Sequence, residues 1–78
     1  MLSPTVHSKF LRSLRAGHYI DAKDTHCVWY YAKILDIVPN QNMTVHYDGW
    51  QSQYDDKIEA PLWRYRVAPW GSVVREKN

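Results

Sequence analysis

From His18 onward, apolar and polar positions alternate in short runs broken by turn residues, the pattern of a small antiparallel sheet. It predicts strands near residues 18–24, 29–37, 43–48, 55–59 and 64–68. Side-chain parity then assigns faces. Ile20, Ala22 and Asp24 share one face of the first strand, Tyr30, Ala32 and Ile34 one face of the second, and Met43, Val45 and Tyr47 one face of the third. These rows are the predicted inward faces. The run VPNQN, with its Pro and two Asn, predicts a tight hairpin turn. Before His18 the period changes: in residues 3–16, Phe10, Leu11 and Leu14 recur at helical spacing with Lys9, Arg12 and Arg15 outside, and Gly17 follows as a stop. Residues 1–17 therefore read as a basic arm or short helix, 18–71 as the sheet domain and 72–78 as a tail.

Five short, bent strands in so few residues predict an all-β, five-stranded SH3-like barrel, because an open sheet of this size leaves one face and two edges unprotected. Antiparallel order brings the end of the first strand, the start of the second and the end of the third to one rim. Asp24, Tyr30 and Tyr47 are thus expected to meet. The loop YDGWQSQYDD returns Trp50 and Tyr54 to the same rim, with Gly49 supplying an unusual backbone conformation. Rings with one carboxylate at an open end suit a large, weakly hydrated cation, and methylated lysine is such a cation. Each residue also has a plainer role open to it. Tyr47 can cap the core, Trp50 can plug the end of the sheet, Tyr54 and Tyr30 can stack on Trp50, and Asp24 can accept backbone N–H groups in the turn DTHC.

Composition narrows the remaining classes. Four Trp and six Tyr against one Phe weight the aromatics toward rings with a polar handle, suited to half-wet surfaces. The net charge of +2 tolerates an acidic partner without demanding one. Cys27 is the sole cysteine, so no intramolecular disulfide forms, and no run approaches membrane-spanning length. His7, His18, His26 and His46 lack metal-ligand spacing, and Cys27 has no third group to orient a catalytic pair, so the expectation is a binding module without metal, cofactor or enzymatic activity. Trp63, Tyr65, Val67 and Trp70 read as packing residues that close the barrel. Arg64 and Arg66 alternate with them and are expected to face solvent, and the adjacent Asp55 and Asp56 read as solvated charges or contacts for a basic peptide.

The segments IDAKDTHCVWYYAKILDI, MTVHYDGWQSQYDD and YRVAP together resemble the Tudor, chromo-barrel and MBT group of chromatin readers over roughly residues 19–69. The densest likeness is VHYDGW followed by Tyr54. The resemblance implies that Tyr47, Trp50 and Tyr54 form three walls of a methyl-lysine cage, that Asp24 supplies its carboxylate, and that Tyr30, or Trp29, closes it with Asp48 at the rim. It implies a nuclear module of a larger chromatin protein that binds a methylated histone or other peptide, with mono- and dimethyl-lysine favoured. The chain departs from the pattern at Lys57, where relatives usually carry Trp, and a Lys57 turned to the rim would repel a cation. Two other partner classes remain: DNA or RNA held through Lys9, Arg12, Arg15, Arg64 and Arg66 with rings offered for stacking, or a protein docked without regard to methylation.

Overall fold

A computed structural model describes residues 4–74, with side chains described from Val6 onward. Residues 1–3 of the predicted arm and 75–78 of the predicted tail lie outside the described residues. The chain runs through helix α1 (Pro4–Arg12), strands β1 (Tyr19–Lys23), β2 (Trp29–Val38), β3 (Asn42–Tyr47) and β4 (Asp56–Glu59), a one-turn helix α2 (Trp63–Arg66) and strand β5 (Val67–Pro69). Short 3-10 turns at Ser52–Tyr54 and Ala60–Leu62 precede β4 and α2.

The strands form a single antiparallel sheet in the order β4-β3-β2-β1-β5. Tyr19 pairs with Lys33 and Lys23 with Trp29, while Ile34 pairs with Val45 before a bulge at Leu35 shifts the register so that Asp36 meets Thr44. The hairpin at Pro39–Gln41 turns on Asn40, whose φ of 63° is a left-handed conformation that Asn tolerates. The inward rows are those the alternation predicts: Ile20 and Ala22, Ala32 and Ile34, Met43, Val45 and Tyr47, joined by Ile58 from β4. Leu14 adds to this core from the segment after α1, with Phe10 and Leu11 packed on its margin, and His7 Nε2 lies 2.9 Å from the Val67 carbonyl oxygen. The N-terminal helix therefore packs against the core. Among the described residues no helix is long and apolar enough to cross a membrane.

Two expectations need correcting. The sheet is not closed into a barrel: among the described residues β4 and β5 are its two edges and do not pair. The edges are kept short instead, at four and three residues, and β5 ends in Pro69, which has no N–H to offer a further strand. The second correction concerns residues 64–68. Here Trp63–Arg66 turns as a helix and only Val67–Pro69 is strand. Trp63 and Val67, four residues apart, are buried and the Trp63 indole N–H donates to the Ile58 carbonyl at 2.8 Å, whereas Tyr65 and Trp70 lie exposed. Those last two rings do not close the core.

Candidate functional site: an aromatic cleft at the end of the sheet

The Trp50 N–H donates to the Tyr47 carbonyl at 3.1 Å, and Gly49 supplies the required φ of 86°. A Cβ at Gly49 would meet nothing within 4 Å, so the glycine is needed for its conformation and not for space. The 3-10 turn that follows, with Tyr54 N–H on the Gln51 carbonyl at 3.0 Å, swings Tyr54 back toward Trp50.

The result is a chain of rings meeting edge to face. Tyr47 and Tyr30 have centroids 5.7 Å apart at 62°, Tyr30 and Trp50 5.7 Å at 82°, and Trp50 and Tyr54 5.4 Å at 70°. Successive rings at steep angles make walls, where parallel rings would fill the space between them. They line a cleft of about 260 Å³ together with Asp24, Thr25, His26, Asp55 and Asp56. Tyr47 forms the buried end, whereas Trp50 and Tyr54, at 44% and 51% exposure, form the wet lip.

The polar groups hold the cleft in shape. Asp24 Oδ1 accepts the N–H groups of His26 at 2.9 Å and Val28 at 3.0 Å, and the Cys27 φ of 64° lets the turn close. The turn-forming role open to Asp24 is thus real, and the same carboxylate lines the cleft. Its other oxygen, Oδ2, lies 3.9 Å from His26 Nδ1. At the buried end the Tyr47 hydroxyl donates to Asp56 Oδ2 at 2.8 Å, and Arg66 Nη2 donates to the same oxygen at 2.5 Å. Arg66 Nε donates to the Lys23 carbonyl at 2.7 Å, tying β1 to β4 across the open side of the sheet. Burial, then the hydrogen bond and charge of Asp56, push the Tyr47 phenol well above its ordinary value, so it stays a neutral wall. Asp55 is also engaged, with Oδ1 at 2.7 Å from His46 Nδ1.

Tyr30, Tyr47, Trp50, Tyr54 and Asp24 therefore come together. Trp29 does not join them: it points to the opposite face of β2, where Lys23 Nζ lies 5.6 Å from its ring centroid. Asp48 lines a different depression, beside Tyr31 and Trp70. Lys57 also faces away, since Asp56 and Ile58 take the inward positions of β4 and Lys57 pairs with Thr44 on the exposed side. Arg66 is not the solvent-facing residue its alternation implies, nor are Asp55 and Asp56 free charges. Their partners lie ten or more residues away for Arg66 and nine for His46 and Asp55, beyond the reach of local pattern. Arg64 is exposed, with its guanidinium carbon 5.7 Å from the Tyr65 ring centroid, and Lys9, Arg12 and Arg15 lie exposed at and after α1. Asp21, which the sequence pattern left unremarked, is fully buried and accepts the N–H groups of Gly71, Val73 and Val74, each at 2.8 Å. Comparison with known protein families, with characterised proteins and with solved structures finds no match to this chain.

Proposed function

We propose that the cleft is a cage for a methylated lysine and that the chain is a chromatin reader module of Tudor-like type, its open sheet a variant of the SH3-like barrel. The observation that carries this reading is the run of four rings set edge to face around an opening that also presents a carboxylate. Ring faces attract a cation by their quadrupole, and a methylated ammonium sheds its water readily enough to enter. A primary ammonium is held back by its hydration and a neutral side chain gains nothing from the rings. Asp24 Oδ2, the oxygen not used by the turn, can accept the N–H that mono- and dimethyl-lysine retain and that trimethyl-lysine lacks. Lower methylation states are therefore preferred. Asp56 adds little to this preference because Arg66 neutralises it.

Nuclear magnetic resonance titration with free mono-, di- and trimethyl-lysine tests the reading, following the amides of residues 47–54 and the Trp50 indole. The expected result is a saturable shift at those positions, weak because one side chain supplies little area, with a dissociation constant on the order of 1 mM and unmethylated lysine inert. Absence of movement at about 10 mM ligand in a folded protein overturns it. Asp24→Asn keeps an acceptor for the turn but removes the charge, so the fold should survive while the preference for the lower methylation states disappears.

A further inference from the structure

The face of the sheet turned away from the cleft carries a second, larger groove of about 670 Å³, whose lining includes Tyr19, Tyr31, Trp70, Lys33, His46 and Asp48. Trp70 stacks on Tyr31 with centroids 4.8 Å apart and planes 24° from parallel, yet it stays 57% exposed, and Tyr19 is 61% exposed. Open Trp and Tyr rings gathered on one face are the side chains that anchor protein interfaces.

The charges in the groove decide what kind of partner fits. Lys33 and Asp48 are both exposed and of opposite sign, and among the described residues neither has an ion-pair partner. Lys33 Nζ lies 5.8 Å from the Tyr19 ring centroid, and at the margin of the patch Lys23 Nζ lies 5.6 Å from that of Trp29. Strand register sets how the two opposite charges are arranged. Lys33 stands opposite His46, and the Asp48 N–H donates to the Tyr31 carbonyl at 2.8 Å, so these four outward residues mark a quadrilateral with Lys33 and Asp48 on one diagonal. Diagonal positions on one sheet face lie roughly 7–8 Å apart. A partner of a single sign gains at one of these corners and loses at the other. A second copy of this chain gains at both. A two-fold axis lying in the interface along the Tyr31–His46 diagonal sets Lys33 over the partner's Asp48 and Asp48 over the partner's Lys33, and it brings the two Tyr31–Trp70 stacks together. His46, on that axis, has its Nδ1 engaged by Asp55 at 2.7 Å. Association through the sheet edges is disfavoured by the short edge strands and by Pro69. We infer that this face is a homodimer interface, with Trp70, Tyr31 and Tyr19 as its apolar centre and two reciprocal Lys33–Asp48 pairs fixing its register. Both clefts stay open on the outer sides of such a dimer.

Sedimentation equilibrium of the whole chain between about 5 and 500 µM tests this. A contact at the low end of specific interfaces, below about 1,200 Å² in total, should raise the mass from 9.3 kDa toward twice that value, with a dissociation constant on the order of 10–100 µM. Each pair occurs twice, so Lys33→Glu and Asp48→Lys each set like charges together at two places and should weaken association at least about tenfold. Mixed in equal amounts, the two variants should associate again, because their heterodimer restores both pairs. Trp70→Ala should weaken association about tenfold, and Trp50→Ala in the cleft should leave it unchanged. The charge variants sit at exposed positions and keep the test intact if Trp70→Ala unfolds. A wild-type chain that stays monomeric at about 500 µM overturns the proposal. So do single charge variants that associate like the wild type, a mixture no tighter than its components, and loss of association on Trp50→Ala.

Discussion

Arg66 should be worth about 3 kcal/mol of stability, an unusual figure for an arginine that local pattern places in water. Its guanidinium side chain is 13% exposed and the Asp56 carboxylate it meets is 22% exposed. Arg66→Met keeps much of the apolar stem and removes the charge. Asp56 then loses its cation in a partly dry site, leaving only the Tyr47 hydroxyl, and the Lys23 carbonyl loses the donor that ties β1 to this network. Breaking a fully buried pair costs about 3–5 kcal/mol, and the residual water at Asp56 brings this to about 2. Loss of the carbonyl hydrogen bond contributes about 1 more. For a domain of this size the sum lowers the melting temperature by about 12–24 °C. Urea unfolding followed by tryptophan fluorescence, with thermal unfolding by circular dichroism, measures it. Asp56→Asn and the double variant complete the cycle, with a coupling of at least about 1 kcal/mol expected. A loss below about 0.5 kcal/mol for Arg66→Met, the value ordinary for a surface position, would refute the reasoning, as would additive single effects.

Other consequences can be read with simple measurements. Trp50→Ala should weaken methyl-lysine binding about 5- to 30-fold, the worth of about 1–2 kcal/mol of cation–π attraction, at a cost of about 1 kcal/mol in stability for the lost edge contacts with Tyr30 and Tyr54. Gly49→Ala should cost about 1 kcal/mol in urea unfolding from the left-handed backbone alone, since nothing crowds the added methyl group. Tyr47 bears on alkaline pH. Its folded-state phenol titrates above the unfolded one, so its contribution to stability is fully present below about pH 10 and is lost as pH rises beyond it. Ultraviolet titration should therefore leave one phenol un-ionised until unfolding, and Tyr47→Phe should remove that late step; a phenol that ionises with the rest contradicts the assignment.

Parity along the chain was enough to place most of the core and most of the cleft. A strand with a period of two has only two faces, so once Ile20, Ala32 and Val45 are inward, Tyr30 and Tyr47 follow and Trp29 is excluded. The same logic disposes of Lys57, which is outward because Ile58 is inward. It fails at residues 63–67 because Trp63 and Val67 share a face in a strand and also lie one turn apart in a helix. Tyr65 would separate the two cases, but an exposed tyrosine looks no different in sequence from a packed one. The signal that was present is Pro61, at the start of the helical segment, where its missing N–H costs nothing.

What alternation cannot reach is the use of a charge by a distant partner. Arg66 and Lys23 lie 43 residues apart, and Asp21 is satisfied from fifty residues downstream. Both look like solvated charges from their neighbours alone. These contacts also decide which carboxylates stay available on each face of the sheet. Arg66 pairs with Asp56, which leaves Asp24 and Asp55 as the cleft carboxylates without an arginine partner. The chain after β5 occupies Asp21 on the other face, where Lys23, Lys33 and Asp48 stay outward. Which carboxylates remain open on each face of this small sheet thus follows from which ones the fold consumes. Asp21→Asn provides the sharpest check on that logic: it removes a buried charge that the three N–H groups stabilise, and should loosen residues 71–74 in hydrogen exchange while leaving the rings of the cleft in place.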